Sequence, residues 1–489
     1  MMVPRRELLR SSACGFGALA AYGLLNTTSC AIADEAHRSL GKRIVGLEGL
    51  HHKAKAKRVI FLFMQGGISQ VDSFDPKPIL DKRDGEMIAF DDAREFANTR
   101  KLGGTHRVMK SPWAFKQYGQ CGHWVSDLFP NIAQHVDQLQ FVHSMHTEGV
   151  AHGPSTLFMH CGSLNTVRPS MGSWTLYGLG SENENLPGFI SIAPSIGNGG
   201  FRNHGSAFLP ARYQGTPLGK ASQGDLRIEN IEALASSDNS QTSRWQLQRQ
   251  LQQIQLQRLI QNSAASDKVF PSADELESLI ASYELAARMQ KASPEIFDLS
   301  NESQETLNLY GIDRKETETY GKRCLLARRL CEAGVRYIQV NYGDDTANPA
   351  WDQHSNLPKH LDHATAVDRP VSGLLTDLQR RGLLDDTIVW FGSEFGRQPY
   401  AEKNGTGRDH NPGGFTVWLA GGGFKAGNSY GQTDEFGQLA IQNKVHMHDL
   451  HATILHQLGI DHERLVYRYG GRDFRLTDVY GKVVRDILV

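Results

Sequence analysis

Two strand-like runs near the C-terminus each deliver acidic or histidine side chains at one end. Thr387 to Phe391 is a continuous apolar run that stops at Gly392-Ser393-Glu394-Phe395-Gly396-Arg397. Arg408-Asp409-His410-Asn411-Pro412 leads into a second run, Phe415 to Ala420. A third cluster, Trp351-Asp352-Gln353-His354-Ser355-Asn356, precedes both. An apolar run that stops at an acid and a glycine reads as a buried parallel strand emerging at a site, and open α/β sheets bind ligands where strands end. The plainer alternative is a loop ion pair between Glu394 and Arg397, with His410 on the surface.

A divalent metal needs oxygen or imidazole ligands converging from several loops. The candidates at strand ends are Asp72 or Asp75, His152, Asp352, His354, Glu394, Asp409 and His410. We expect His152, Asp352, His354, Glu394 and His410 to approach one pocket, with Asp72, Asp409 and Arg397 at its edge. A zinc, calcium or magnesium ion there would neutralise a phosphate or sulfate and activate a water, directly or through Thr147 or Ser155. Arg397 would hold the anion bidentately. His446, His448, His451 and His456 form a second cluster, but helix and strand spacing aims them in different directions. A Ser–His–Asp hydrolase would want a Gly-x-Ser-x-Gly elbow, which is absent.

The elements that must position these groups follow from pattern. Val59 to Met64 is a strand-length apolar run ending at Gln65-Gly66-Gly67, and the polar loop to Pro76 carries Asp72 and Asp75. The paired glycines are no dinucleotide fingerprint, because the spaced third glycine is missing. Further strands are expected at 336–341, 387–391 and 415–420. Helices are expected at 131–140, 155–161 (Pro154 in the first turn), 320–333, 369–381 and 452–458. Residues 79–120 read as an irregular polar insertion. Residues 188–219 read as strands and loops covering the site, and 221–310 as a helical insertion whose Gln-rich stretch has helical leucine spacing. The strand–helix rhythm predicts an α/β three-layer sandwich on a mixed, mainly parallel sheet.

Composition narrows the function classes. In 489 residues, 52 Lys and Arg balance 53 Asp and Glu, which gives no electrostatic case for nucleic-acid binding. Of six cysteines, Cys14 and Cys30 fall in or beside the N-terminal segment and the rest are widely spaced. This is no disulfide scaffold and no zinc-finger spacing. Arg5-Arg6-Glu7-Leu8-Leu9, then a short Ala- and Gly-rich apolar stretch, predicts a twin-arginine leader over residues 1–34. That implies passage through the twin-arginine export machinery, a periplasmic or extracellular location, and no membrane span after processing.

These motifs resemble an exported bacterial family known as domain of unknown function 1501, within the alkaline phosphatase/sulfatase-like superfamily. The resemblance is carried by the leader, Phe63 to Gly67, Asp72 to Pro76, Ser144 to Thr147, Trp351 to Asn356, Gly392 to Arg397, Arg408 to His410, His448 to Thr453 and Gly471 to Asp478. It implies a single sulfatase-like domain over residues 50–489. Sulfatases begin a Cys/Ser-x-Pro-x-Arg motif with the residue that becomes formylglycine. Here His152-Gly153-Pro154-Ser155-Thr156 stands in that place, with His152 at the nucleophile position and Thr156 for the arginine. Ser393-Glu394-Phe395-Gly396 keeps the acid of a Ser-Asp-His-Gly segment and loses its histidine. His410, and Asp352 with His354, are similar to metal-binding positions of the superfamily. The resemblance implies a metal-dependent hydrolase of phosphate or sulfate esters acting on a small-molecule or glycan substrate. The alternative is a catalytically silent glycan- or anion-binding protein on the same scaffold.

Overall fold

The structure is a computed structural model that describes residues 50–90, 104–221, 284–285, 288, 294–402 and 405–489. All of these except Glu284 belong to one compact unit, Arg43–Glu232 with Leu285–Val489. The second unit is Met1–Lys42 with Ala233–Glu284. The expected leader and most of the expected helical insertion therefore lie outside the described residues.

Apolar β-branched and aromatic runs build the sheet. Its strands are β1 (Arg58–Met64), β2 (Leu139–His146), β3 (Phe189–Ile192), β4 (Thr216–Leu218), β5 (Tyr337–Tyr342), β6 (Thr387–Gly392), β7 (Phe415–Ala420), β8 (Asn428–Tyr430) and β9 (Val445–His446). The order is β8-β2-β7-β6-β1-β5-β3-β4, with β9 pairing β2. Only β7 runs antiparallel to its neighbours, β6 and β2; the other pairings are parallel. The fold is thus the expected mixed, mainly parallel α/β sandwich. The runs at 387–392 and 415–420 share one sheet as expected, although as antiparallel neighbours.

Alternation along the strands sorts the core into two layers. Ile60, Leu62 and Met64 of β1, with Ile338 and Val340 of β5, pack on α3 (Lys315–Glu332) and α4 (His360–Arg380). Val59, Phe61 and Phe63, with Trp390 and Leu419, pack on the opposite face, against α1 (His152–Cys161), α2 (Met171–Leu179) and α5 (Met447–Gln457). α4 reaches the core because Ala364, Val367, Val371, Leu374 and Leu378 recur at helical spacing. Full burial of each such side chain contributes about 1.5–3 kcal/mol.

The central register positions the site. Met64 pairs with Tyr342 and Phe63 with Gly392, so β1, β5 and β6 finish at one edge. The loops after them leave together.

Several expectations are corrected. The 79–120 stretch is not irregular throughout: Met87–Phe90 pairs with Gly104–Val108, and Phe115–Tyr118 with His123–Ser126. Of residues 188–219, Phe189–Ile192 and Thr216–Leu218 are strands as expected and extend the sheet at its edge, and the loop between them bonds to Asp344 and Asp345 after β5. The expected helix at 131–140 is a 3-10 turn, Ile132–Gln138. α4 starts nine residues earlier than its expected start at 369, since the polar residues 360–368 carry their apolar side chains on its buried stripe. Cys121, Cys161, Cys324 and Cys331 are free thiols. No described helix is long and apolar enough to cross a membrane.

Candidate metal centre

Three loops meet at the edge where β1, β5 and β6 end. The turn after β1 needs its glycines: Gly66 has φ +114°, and a Cβ there would lie 2.7 Å from backbone atoms of Pro349, Trp351 and Asp352. The loops after β1 and β5 thus touch backbone to backbone, and Trp351 N–H donates to the Gln65 carbonyl at 3.2 Å. The Gly66 N–H donates to Glu394 at 2.9 Å, tying the loop after β6 to the same turn.

Three histidines then point inward. His152 opens α1 and is bonded through Nδ1 to Glu394 Oε1 at 2.7 Å. His410 Nδ1 lies 2.7 Å from the Val150 carbonyl, and His354 Nδ1 lies 2.6 Å from Glu402 Oε2. A carbonyl or carboxylate only accepts, so each Nδ1 carries the proton and each Nε2 is turned inward. All three Nε2 atoms face Asp352. Those of His354 and His410 are 3.0 and 3.1 Å from Oδ1, and that of His152 is 3.2 Å from Oδ2. His354 and His410 Nε2 are also 3.0 Å from each other. His152 Nε2 is out of line for hydrogen bonding, so this buried nitrogen has no hydrogen-bond partner.

This spacing suits a cation. Donors bound to one ion at about 2.0–2.2 Å sit roughly 2.9–3.5 Å apart, the range seen here. His152, Asp352 and His410 form one donor set, and His354, Asp409 and His410 another, each with its ligand atoms within 4.8 Å of one another. Nitrogen-rich sets with one carboxylate favour zinc or another first-row transition ion over calcium or magnesium. Histidines whose far nitrogen is held by a carboxylate or carbonyl are the usual outer support of such sites.

The electrostatics agree with a tightly coupled cluster. Burial alone would raise the Asp352 pKa, but the three histidines that face it and the Arg397 charge hold it well below the usual range. For His152, burial opposes charge, yet the neighbouring carboxylates of Asp352 and Glu394 outweigh it and raise its pKa. His354 is raised chiefly by its bond to Asp352. His410 goes the other way, lowered to about 4, first by burial and then by Arg397 and His152 despite its bond to Asp352.

The five residues expected to converge do form one connected cluster, His152, Asp352, His354, Glu394 and His410. Glu394 sits behind His152 as its hydrogen-bond acceptor. Asp409 is at the rim, 3.8 Å from His354 Nδ1. Other expectations need correction. Asp72 is no ligand: it is fully buried in a two-point ion pair with Arg408, at 2.7 and 3.1 Å, and accepts from Ser69. Asp75 pairs with Lys77 and Thr433. Arg397 cannot grip an anion. It is fully buried, and its N–H groups go to the carbonyls of Gly66, Gly67, Trp351 and Arg408 and to Asp352 Oδ1 at 2.8 Å. Its partner is thus Asp352, not Glu394, and it staples the three loops. Thr147 donates its backbone N–H to Pro412, and no described contact joins its hydroxyl to the cluster.

Glu402 is the residue that sequence reasoning misses. It follows only the two-residue strand Tyr400–Ala401, too short for the local pattern to mark it. The weak signal is its position between two motif segments, Gly396–Arg397 and Arg408–His410.

The profile of the family described as "Protein of unknown function (DUF1501)" matches residues 56–488. The chain belongs to that family. The match spans every residue of the cluster. No curated protein matches the chain. Among solved structures, alkaline phosphatase from the Antarctic bacterium TAB5 aligns at 10% identity and TM-score 0.32, over 83% of this chain and 98% of its own. The lipoteichoic acid synthase LtaP from Listeria monocytogenes aligns at 10% and 0.32, over 90% and 80%. The PsFucS1 sulfatase from Pseudoalteromonas sp. aligns at 12% and 0.32, over 88% and 70%. Scores this low assign no role to any residue of this chain.

Proposed function

We propose that this protein is a metal-dependent hydrolase of phosphate or sulfate esters, exported through the twin-arginine route and working outside the cytoplasm. The observation that carries the reading is the common orientation of three histidines. Each is held at Nδ1 by an oxygen acceptor, which leaves three Nε2 atoms aimed at one carboxylate. Protein-only contacts give this arrangement little reason to exist, because nitrogen lone pairs facing a carboxylate repel unless a proton or a cation lies between them.

His152, Asp352, His354 and His410 would hold the ion, with Asp409 at its margin. A bound divalent cation would supply Lewis acidity towards an ester oxygen and lower the pKa of a bound water. Glu394 and Glu402 keep the tautomers of His152 and His354 fixed. Arg397 holds Asp352 in place and neutralises part of its charge. Because His152 opens α1, the first-turn N–H groups of His152 and Gly153 stand beside the cluster, where a helix N-terminus favours an anionic ester.

The test is metal analysis of the purified protein, followed by turnover of 4-nitrophenyl phosphate and 4-nitrophenyl sulfate. Bound divalent metal, and turnover lost in Asp352→Asn, are expected. A protein that binds no divalent ion on reconstitution removes the reading. One that binds the ion but turns over neither ester in any metal form leaves the silent binding protein. Replacing Arg5 and Arg6 with Lys is expected to retain the protein in the cytoplasm, and unchanged export would reject the twin-arginine route.

A further inference from the structure

A second recess shares no residue with the metal cluster. Its volume is about 400 Å³, within the range of small-molecule sites. Its floor is a column of parallel rings. His123 stacks on Phe141 at 3.7 Å and 10°, and the rings of His123 and His143 are 5.4 Å apart and 12° from parallel.

The lining is pre-set by its own contacts. Asp75 accepts from Thr433 at 2.6 Å and pairs with Lys77 at 2.8 Å, and both Asp75 and Thr433 are more than nine-tenths buried. His123 is bonded to Ser429 at 3.0 Å and His143 to Thr416 at 3.2 Å. At the mouth stands Trp124, 44% exposed, beside Gln432. A large indole left open to solvent at the lip of a polar recess offers a flat apolar face next to hydrogen-bonding groups of both kinds.

The charge balance selects the ligand. Lys77 is cancelled by Asp75, and burial keeps His123 and His143 neutral, lowering the His123 pKa to about 3. The recess therefore has no net cation to hold a sulfate or phosphate. An aromatic face, an amide, hydroxyls and a compensated ion pair match a molecule with one apolar C–H face and a rim of uncharged hydroxyls. We propose that this recess is an ancillary binding site for an uncharged sugar unit of a glycan chain, sharing no residue with the metal cluster and independent of its chemistry.

The experiment is isothermal titration of the full chain with cellohexaose, mannohexaose and agarohexaose, with turnover of 4-nitrophenyl esters followed in parallel. At least one hexasaccharide is expected to bind saturably. Trp124→Ala is expected to weaken that binding about five- to tenfold, the loss of one stacking face. Gln432→Ala should weaken it less, and Trp124→Phe should restore most of it. Both positions are solvent-facing, so the variants are expected to keep the wild-type melting temperature. Asp352→Asn is expected to bind the sugar unchanged, which separates this site from the cluster and from the hydrolase reading. The proposal is overturned if no hexasaccharide binds, if Trp124→Ala binds as tightly as wild type, or if Asp352→Asn abolishes binding.

Discussion

Buried charge separates two aspartates that look alike in sequence. Asp352 and Asp72 both follow motif residues, and both end beside an arginine, Arg397 and Arg408. Asp72 is satisfied by Arg408 and Ser69 alone, whereas Asp352 also faces three imidazole nitrogens. Opposite phenotypes follow. Asp72→Asn should leave the Arg408 charge buried and under-compensated and cost about 3 kcal/mol of stability, read as a lower urea midpoint, with zinc affinity within about twofold of wild type. Asp352→Asn should weaken zinc binding, measured by titration calorimetry, by more than the roughly 10–100-fold typical of changes outside the coordination sphere. A large affinity loss in Asp72→Asn would return that residue to the ligand set.

The turn after β1 is the element on which the cluster depends. Gly66 combines a positive φ with backbone contact to the loop that carries Asp352, and its N–H holds Glu394. Gly66→Ala adds strain worth about 1–3 kcal/mol and must push the 349–352 backbone away. It should therefore lower the melting temperature and weaken ion binding together. Gly382, also at positive φ, has open space where a Cβ would sit, with no atom within 4 Å, so Gly382→Ala should cost stability alone. Equal ion affinity in the two variants would show that the loop after β5 tolerates displacement.

At the scale of the molecule, the helical layer on the α1 face carries histidines that burial keeps neutral. His160 lies between Phe61 and Phe63, and His451 is bonded to the Met159 carbonyl. Burial lowers both pKa values to about 3. The folded state then binds fewer protons than the unfolded chain between about pH 3 and 6.5, so stability falls as the pH drops through that window. From pH 7 to pH 5 each contributes a loss of roughly 1–2 kcal/mol. Urea midpoints should decline over this interval, and His160→Phe should flatten the slope. An unchanged slope in that variant would mean that His160 titrates normally in the fold.

The sequence alone determined the strands and the residues at their ends. Continuous apolar runs such as 59–64 and 415–420 bury both faces, a local property of pattern, and the acids and histidines that follow them are visible without a partner. It also grouped Asp352, His354, Glu394 and His410; β5 and β6 are parallel and end at one edge, and His410, which precedes β7, reaches that edge because β7 runs antiparallel to β6. Pairing was a tertiary decision. Arg397 and Arg408 have the same chemistry and lie eleven residues apart, and only the packed loops assign one to Asp352 and the other to Asp72. The tautomers were decided the same way, by Val150 and by the unmarked Glu402, which reach His410 and His354 across the fold. A side chain's role in a buried cluster depends on which groups desolvate it and satisfy it, and those come from segments that no local pattern joins.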